Sequence, residues 1–167
     1  MSRYLFLLNL SLILMVSVSQ TALGQKYYIV RHAEKAHPTG DTPLSEAGLE
    51  RAQALKEKLK DAKIAYVFTT NTLRTKQTAQ PTAEHFKAEI QTYGKIDAAL
   101  IDRFKSLKKN TLIVGHSNTL DELLNGMLGG DRYTDLDESI FDRLFIITKK
   151  GKRLTVVEST YGQPSSE

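Results

Sequence analysis

Apolar residues in this chain fall into short unbroken runs separated by stripes at three- and four-residue spacing. Tyr27-Tyr28-Ile29-Val30 is β-branched and aromatic and reads as a buried strand. A polar loop with His37, Pro38, Gly40 and Pro43 follows. Ser45 is placed to cap a helix, with Glu46 in its first turn where a negative charge suits the helix dipole. Leu49, Ala52, Leu55, Leu59 and Ala62 then give that helix an apolar stripe. Ile64 to Thr69 reads as a second strand, and a helix begins at Asn71 or Thr72 and is interrupted or restarted at Pro81. Glu89 to Tyr93 is a third candidate strand, and Asp97 to Leu107 a helix with Ala98, Ile101 and Phe104 inward. Thr111-Leu112-Ile113-Val114 is apolar on consecutive residues, as expected of a central strand covered on both faces. A helix from about Leu120 to Leu128 closes at Gly129-Gly130, and Leu144–Thr148 with Leu154–Glu158 form a terminal hairpin. The alternation predicts one α/β domain: a largely parallel sheet with an antiparallel element at its end.

The first 24 residues differ from the rest. Arg3 is their one charge, an apolar run extends from Tyr4 to Val18, and Ala22-Leu23-Gly24 precedes Gln25. That pattern predicts a signal peptide over 1–24 and a domain over 25–167, periplasmic or secreted, with an uncleaved anchor as the alternative. Removing Arg3 leaves 22 basic and 19 acidic residues, a net charge of +3. The whole chain is 41% apolar and 25% charged, the balance of a globular protein. It has no cysteine, which excludes disulfides, thiolate metal sites and cysteine nucleophiles. No run of five like charges occurs, so a nucleic-acid-binding arm is not indicated, and no stable membrane association is expected once the leader is removed.

Chemistry in such a sheet is expected where strands end and helices begin. The first strand runs into Arg31-His32-Ala33-Glu34 and the central strand into Gly115-His116-Ser117-Asn118-Thr119. Either histidine alone is most simply a hydrogen-bonded core residue. Two at equivalent strand ends, with Arg31 beside one, point to an anion site instead.

These segments resemble the histidine phosphatase superfamily, which has the phosphoglycerate mutase-like fold. The resemblance is carried by Arg31-His32-Ala33-Glu34, by Leu44–Ala52, by Thr69–Ala79 around Arg74, and by Leu112–Ser117, in the family's order. One departure is Ala33, where the family usually has glycine. The resemblance implies a three-layer sandwich whose mixed, largely parallel sheet is flanked by helices. It implies a phosphomonoesterase in which His32 attacks phosphorus and becomes a phosphohistidine. Arg31, Arg74, His116 and Asn71 would hold the phosphoryl oxygens, with no metal and no cofactor required. The guanidiniums beside His32 are expected to keep it unprotonated. Asp97 is the family-position candidate for the proton donor, against a plain role as helix cap, and Glu34 is the other candidate.

The remaining features have simpler readings. His37 is a loop residue, His85 a helix-surface residue, and the lysines at 56, 58, 60, 63, 149, 150 and 152 solvated faces and a turn. The four histidines lack the paired spacing of a zinc site. Gly115-His116-Ser117-Asn118 lacks the second glycine of a serine-nucleophile elbow. Other function classes are a phosphoglycerate mutase-type transferase, a cytosolic phosphohistidine protein phosphatase, and a binding module without turnover. Segments 35–43 and 129–142 are expected to set specificity over the pocket for a small phosphate monoester, and the second is acidic (Asp131, Asp135, Asp137, Glu138, Asp142).

Overall fold

A computed structural model describes residues 24–165; the predicted signal peptide lies outside the described residues apart from Gly24. The elements run β1 (Gln25–Arg31), α1 (Glu46–Leu59), β2 (Tyr66–Thr69), α2 (Leu73–Phe86), β3 (Ile90–Thr92), α3 (Ala98–Ser106), β4 (Thr111–Gly115), α4 (Ser117–Leu128), β5 (Arg143–Lys150) and β6 (Arg153–Thr160). They form one six-stranded sheet in the order β3-β2-β4-β1-β5-β6. The first four strands are parallel and the β5–β6 hairpin is antiparallel, as the sequence implied.

Side-chain alternation along β1 divides the core. Tyr27 and Ile29 point toward α3 and α4 and pack with Phe104, Leu120 and Leu124. Tyr28 and Val30 point the other way, onto Leu55 and Leu59 of α1 and Ala79 and Ala83 of α2. Every residue of β4 is buried, which explains why its sequence is uninterrupted in apolar character. The result is the expected three-layer α/β sandwich.

Two local expectations change. Leu49 is 50% exposed, because Gly48 and Arg51 take the inner face of α1 that the stripe had assigned to it. Gly48 is needed there: a Cβ would collide with the Glu34 carbonyl, so this helix lies against the segment that follows His32. Pro81 lies within a continuous α2 and does not restart it.

Candidate active site

The parallel strands β2, β4 and β1 are neighbours, and their carboxyl ends are level. Arg31 is paired with Gly115, and Thr69 with Val114. The next residue of each chain segment is therefore Thr70, His116 or His32, and three strand ends bring all three to one place. The His32 amide donates to the Gly115 carbonyl at 2.9 Å. Gly115 leaves room for the crossing of Tyr93, whose hydroxyl would be 2.8 Å from a Cβ at that position. The two imidazole rings lie 5.3 Å apart, centre to centre, edge to face.

The hydrogen bonds fix the tautomer of each ring. His32 Nδ1 faces the Ala33 carbonyl at 2.8 Å. A carbonyl only accepts, so Nδ1 carries the proton and Nε2 keeps its lone pair. On His116, Nδ1 faces Arg74 Nη2 at 3.4 Å, and a guanidinium only donates, so this nitrogen is the unprotonated one. Nε2–H of His116 then donates to Thr70 Oγ1 at 2.8 Å, and Thr70 donates to the buried Thr75 hydroxyl at 3.1 Å. Thr75 in turn donates to the carbonyls of Thr70 and Thr72 at 2.9 and 3.0 Å. The chain of donors runs one way from ring to backbone.

Both rings are held neutral. Burial lowers the His32 pKa to about 3, with Arg31, His116 and Arg74 adding repulsion and the Ala33 bond opposing it. Burial likewise lowers His116 to about 4, followed by the charges of Arg74, Arg31 and Lys35. The guanidiniums act as the sequence suggested, but burial is the larger cause. This has a consequence for stability. The unfolded chain protonates its histidines near pH 6.5, while the folded one does not until far lower, so stability falls as pH drops below about 6.5. At pH 5 the loss from His32 is of the order of 2 kcal/mol. Thermal unfolding across pH 5–7 should show this decline, and His32→Asn should flatten it.

Each arginine has one end engaged. Arg31 is buried, and its Nη1 donates to the carbonyls of Asp137, Glu138 and Ile140 at 3.2, 2.8 and 3.2 Å. Its guanidinium stacks on Phe141 at 4.3 Å, and the same ring lies 6.2 Å from the His32 ring. Arg74 reaches Asp41 at 3.7 Å and His116 as described. The Nε of each arginine is buried with no partner among the described residues. A buried N–H left unpaired is costly, and an oxyanion would satisfy both.

The structure thus brings together Arg31, His32, Arg74 and His116. It does not bring in Asn71, whose oxygen accepts from Lys76 at the exposed surface at 2.7 Å; its neighbour Thr70 makes the bond to His116. Asp97 is the N-cap of α3, exposed and accepting from the Leu100 amide at 2.9 Å, beside a cleft between α3 and α4. Glu34 is bound on both oxygens by Arg51, at 2.8 and 3.0 Å from Nε, and does not reach Lys35 or Arg31. His37 is exposed in its loop and His85 on its helix. Among the described residues no cluster of three metal-ligating side chains occurs. Sequence reasoning missed Thr70 and Thr75 as site residues, and also Asp41 and Phe141. Thr70 and Thr75 sat inside a recognised motif, whereas nothing local to Phe141 marked it. For Asp97, alanine substitution should cost about 1 kcal/mol of stability through the lost cap. Turnover per folded molecule should stay unchanged on alkyl and aryl phosphates alike, as measured by paired melting and kinetic assays.

Solved structures share the fold at low sequence identity. The SixA protein of Agrobacterium tumefaciens, assigned as a phosphohistidine phosphatase, is 19% identical with a TM-score of 0.63, covering 86% of this chain and 100% of its own. The mycobacterial glucosyl-3-phosphoglycerate phosphatase, solved with VO3, is 12% identical with a TM-score of 0.62, covering 85% and 100%. The phosphoserine phosphatase of Entamoeba histolytica, solved with 3-phosphoglyceric acid, is 12% identical with a TM-score of 0.61, covering 83% and 98%. No curated protein sequence matches. The family profile described as histidine phosphatase superfamily (branch 1) matches residues 27–103, which include the two strand–helix junctions carrying Arg31-His32 and Arg74. With those junctions matched and the second histidine on the adjoining strand of the same fold, residues 27–103 of this chain are similar to the histidine phosphatase superfamily (branch 1).

Proposed function

We propose that the protein is a phosphomonoesterase working through a phosphohistidine on His32. One observation carries this reading: an unprotonated, buried His32 beside two arginines whose Nε donors are buried and unpartnered. The fold relatives that are named as phosphatases support it. His32 Nε2 attacks phosphorus, the N–P bond forms and the ester P–O bond breaks. Arg31 and Arg74 neutralise charge on the equatorial oxygens, where it accumulates during transfer. Water then cleaves the N–P bond, releasing phosphate and restoring the free ring. His116 faces the transferred group across the ring pair, positioned by Thr70.

The proton for the leaving oxygen is a separate matter. Asp97 is a cap and Glu34 is bound to Arg51, so neither candidate carboxylate is free to supply it. This favours substrates whose leaving group departs without a proton donor, such as aryl phosphates, and among biological esters those with acidic leaving groups. The same observation favours, as a second reading, transfer from a phosphorylated imidazole on a protein. A mutase role has less support, since the connecting segments at the histidine end, 32–45 and 129–142 among them, leave little space for insertions that enclose a sugar acid. Export rests on the sequence pattern of residues 1–24.

The decisive experiment is hydrolysis of an aryl phosphate with EDTA present. Activity should persist without added metal and be inhibited by vanadate, which mimics the crowded phosphorus centre. Loss of activity on chelation with recovery on adding zinc would overturn the reading.

A further inference from the structure

The charges of this chain are scattered in sequence but sorted by the fold. At the end of the sheet where the parallel strands begin lie segments 24–26, 60–65, 87–89 and 107–110, with the hairpin turn 149–153 beside them. Together they hold ten lysines and arginines against two carboxylates, Asp61 and Glu89. Lys63, Lys108, Lys109, Lys150, Lys152 and Arg153 are all exposed there, and among the described residues none of them is in an ion pair. The opposite end, with the histidines, is the reverse. Its connecting segments 32–45, 70–72, 93–97, 129–142 and 161–165 hold eight carboxylates and three basic side chains, with Arg31, Arg74 and Arg143 at the adjoining element ends.

We propose, against the expectation from the sequence of no stable membrane association, that the basic end is a docking surface for an anionic phospholipid bilayer, holding the histidine end away from it. Two observations choose this partner over a nucleic acid. The chain enters the fold at this end, where Gln25 is paired with Lys149 and its side chain donates to the Lys109 carbonyl at 3.1 Å. The apolar run Tyr4–Val18 lies immediately upstream in sequence, so a bilayer is the surface to which this end is tethered or past which it is delivered. The basic segments also contain no aromatic residue on which a base would stack. Clustered lysines near an anionic leaflet are attracted by its surface potential, and salt screens the attraction within about 10 Å at 0.1 M. The reading concerns binding alone and is independent of the proposed reaction.

The test is co-sedimentation of the full chain with phosphatidylcholine vesicles, with and without phosphatidylglycerol. Partition onto the anionic vesicles should be at least tenfold stronger at low salt, and the preference should disappear as salt rises. K108E/K109E/K152E should lose the preference while its turnover of an aryl phosphate stays at the unsubstituted level. The variant separates charge attraction from insertion of the apolar run, which is common to both vesicle types. Equal partition onto the two vesicles, an unchanged preference in the variant, or tighter binding to a DNA duplex than to anionic vesicles would overturn the proposal.

Discussion

His32→Ala should lower turnover by about 10⁴-fold or more, because the two-step route loses the atom to which phosphorus is transferred. Vanadate and phosphate should still bind, since Arg31, Arg74 and His116 are held by contacts that do not involve the His32 ring. Arg31 is fixed by the 137–140 carbonyls, and His116 by Thr70 and Arg74. Rapid alkaline quench of the unsubstituted protein with labelled substrate should trap a base-stable, acid-labile phosphoenzyme that is absent from the variant. Label recovered on a serine, or turnover retained by His32→Ala, would contradict the assignment of the nucleophile. The unprotonated state of His32 adds a further expectation: neither histidine should impose an acid limb on kcat/KM above about pH 4.

The second large effect concerns stability. Glu34→Ala should destabilise the fold by about 3 kcal/mol, because it strands the Arg51 guanidinium, which is only 6% exposed. For a domain of this size that is a fall of roughly 10 °C in melting temperature. Arg51 also donates to the carbonyls of Tyr161 and Gln163 at 3.2 and 2.8 Å, so it ties the segment after His32 to the carboxyl-terminal tail. Replacing both partners by apolar residues of similar size should recover much of the loss, which a calorimetric double-substitution series would measure. Glu34 held as a strut predicts that turnover per folded molecule stays near normal on alkyl and aryl phosphates. A selective collapse on the alkyl ester would instead make Glu34 the proton donor.

The parts of this protein readable from sequence are those whose cause is local. The strand in Thr111–Val114, the Ser45 cap and the site residues adjoining strands were visible because periodicity, capping chemistry and strand ends act over a few residues. The hydroxyl of Ser45 does accept from the Gly48 amide, at 3.1 Å. What was not readable depends on contacts between distant positions. Nothing near Glu34 indicates that Arg51 will bind it in preference to Lys35 next door. Nothing near Arg31 indicates that carbonyls more than a hundred residues away will take one end of its guanidinium. Thr70 and Asn71 are neighbours that can both accept through a side-chain oxygen, and only the path of the backbone past β4 decides which reaches His116. The basic end of the sheet was invisible for the same reason, since its lysines come from five separate segments.

The grip of the 137–140 segment on Arg31 bears on how this protein can change its substrate. All three acceptors are main-chain carbonyls, and Phe141 and Asp142 are held in turn by their amides on Ser165 Oγ, at 2.8 and 3.1 Å. The side chains at 138 and 140 can therefore vary while Arg31 stays where it is, whereas Asp137 also braces the segment by accepting from the Ser139 amide and hydroxyl at 2.8 and 2.6 Å. Shortening the segment, or bending it with proline, moves that arginine along with it. Inheritance by point substitution and inheritance by insertion or deletion thus have different outcomes here: the first retunes what the rim accepts, and the second alters the anion pocket itself.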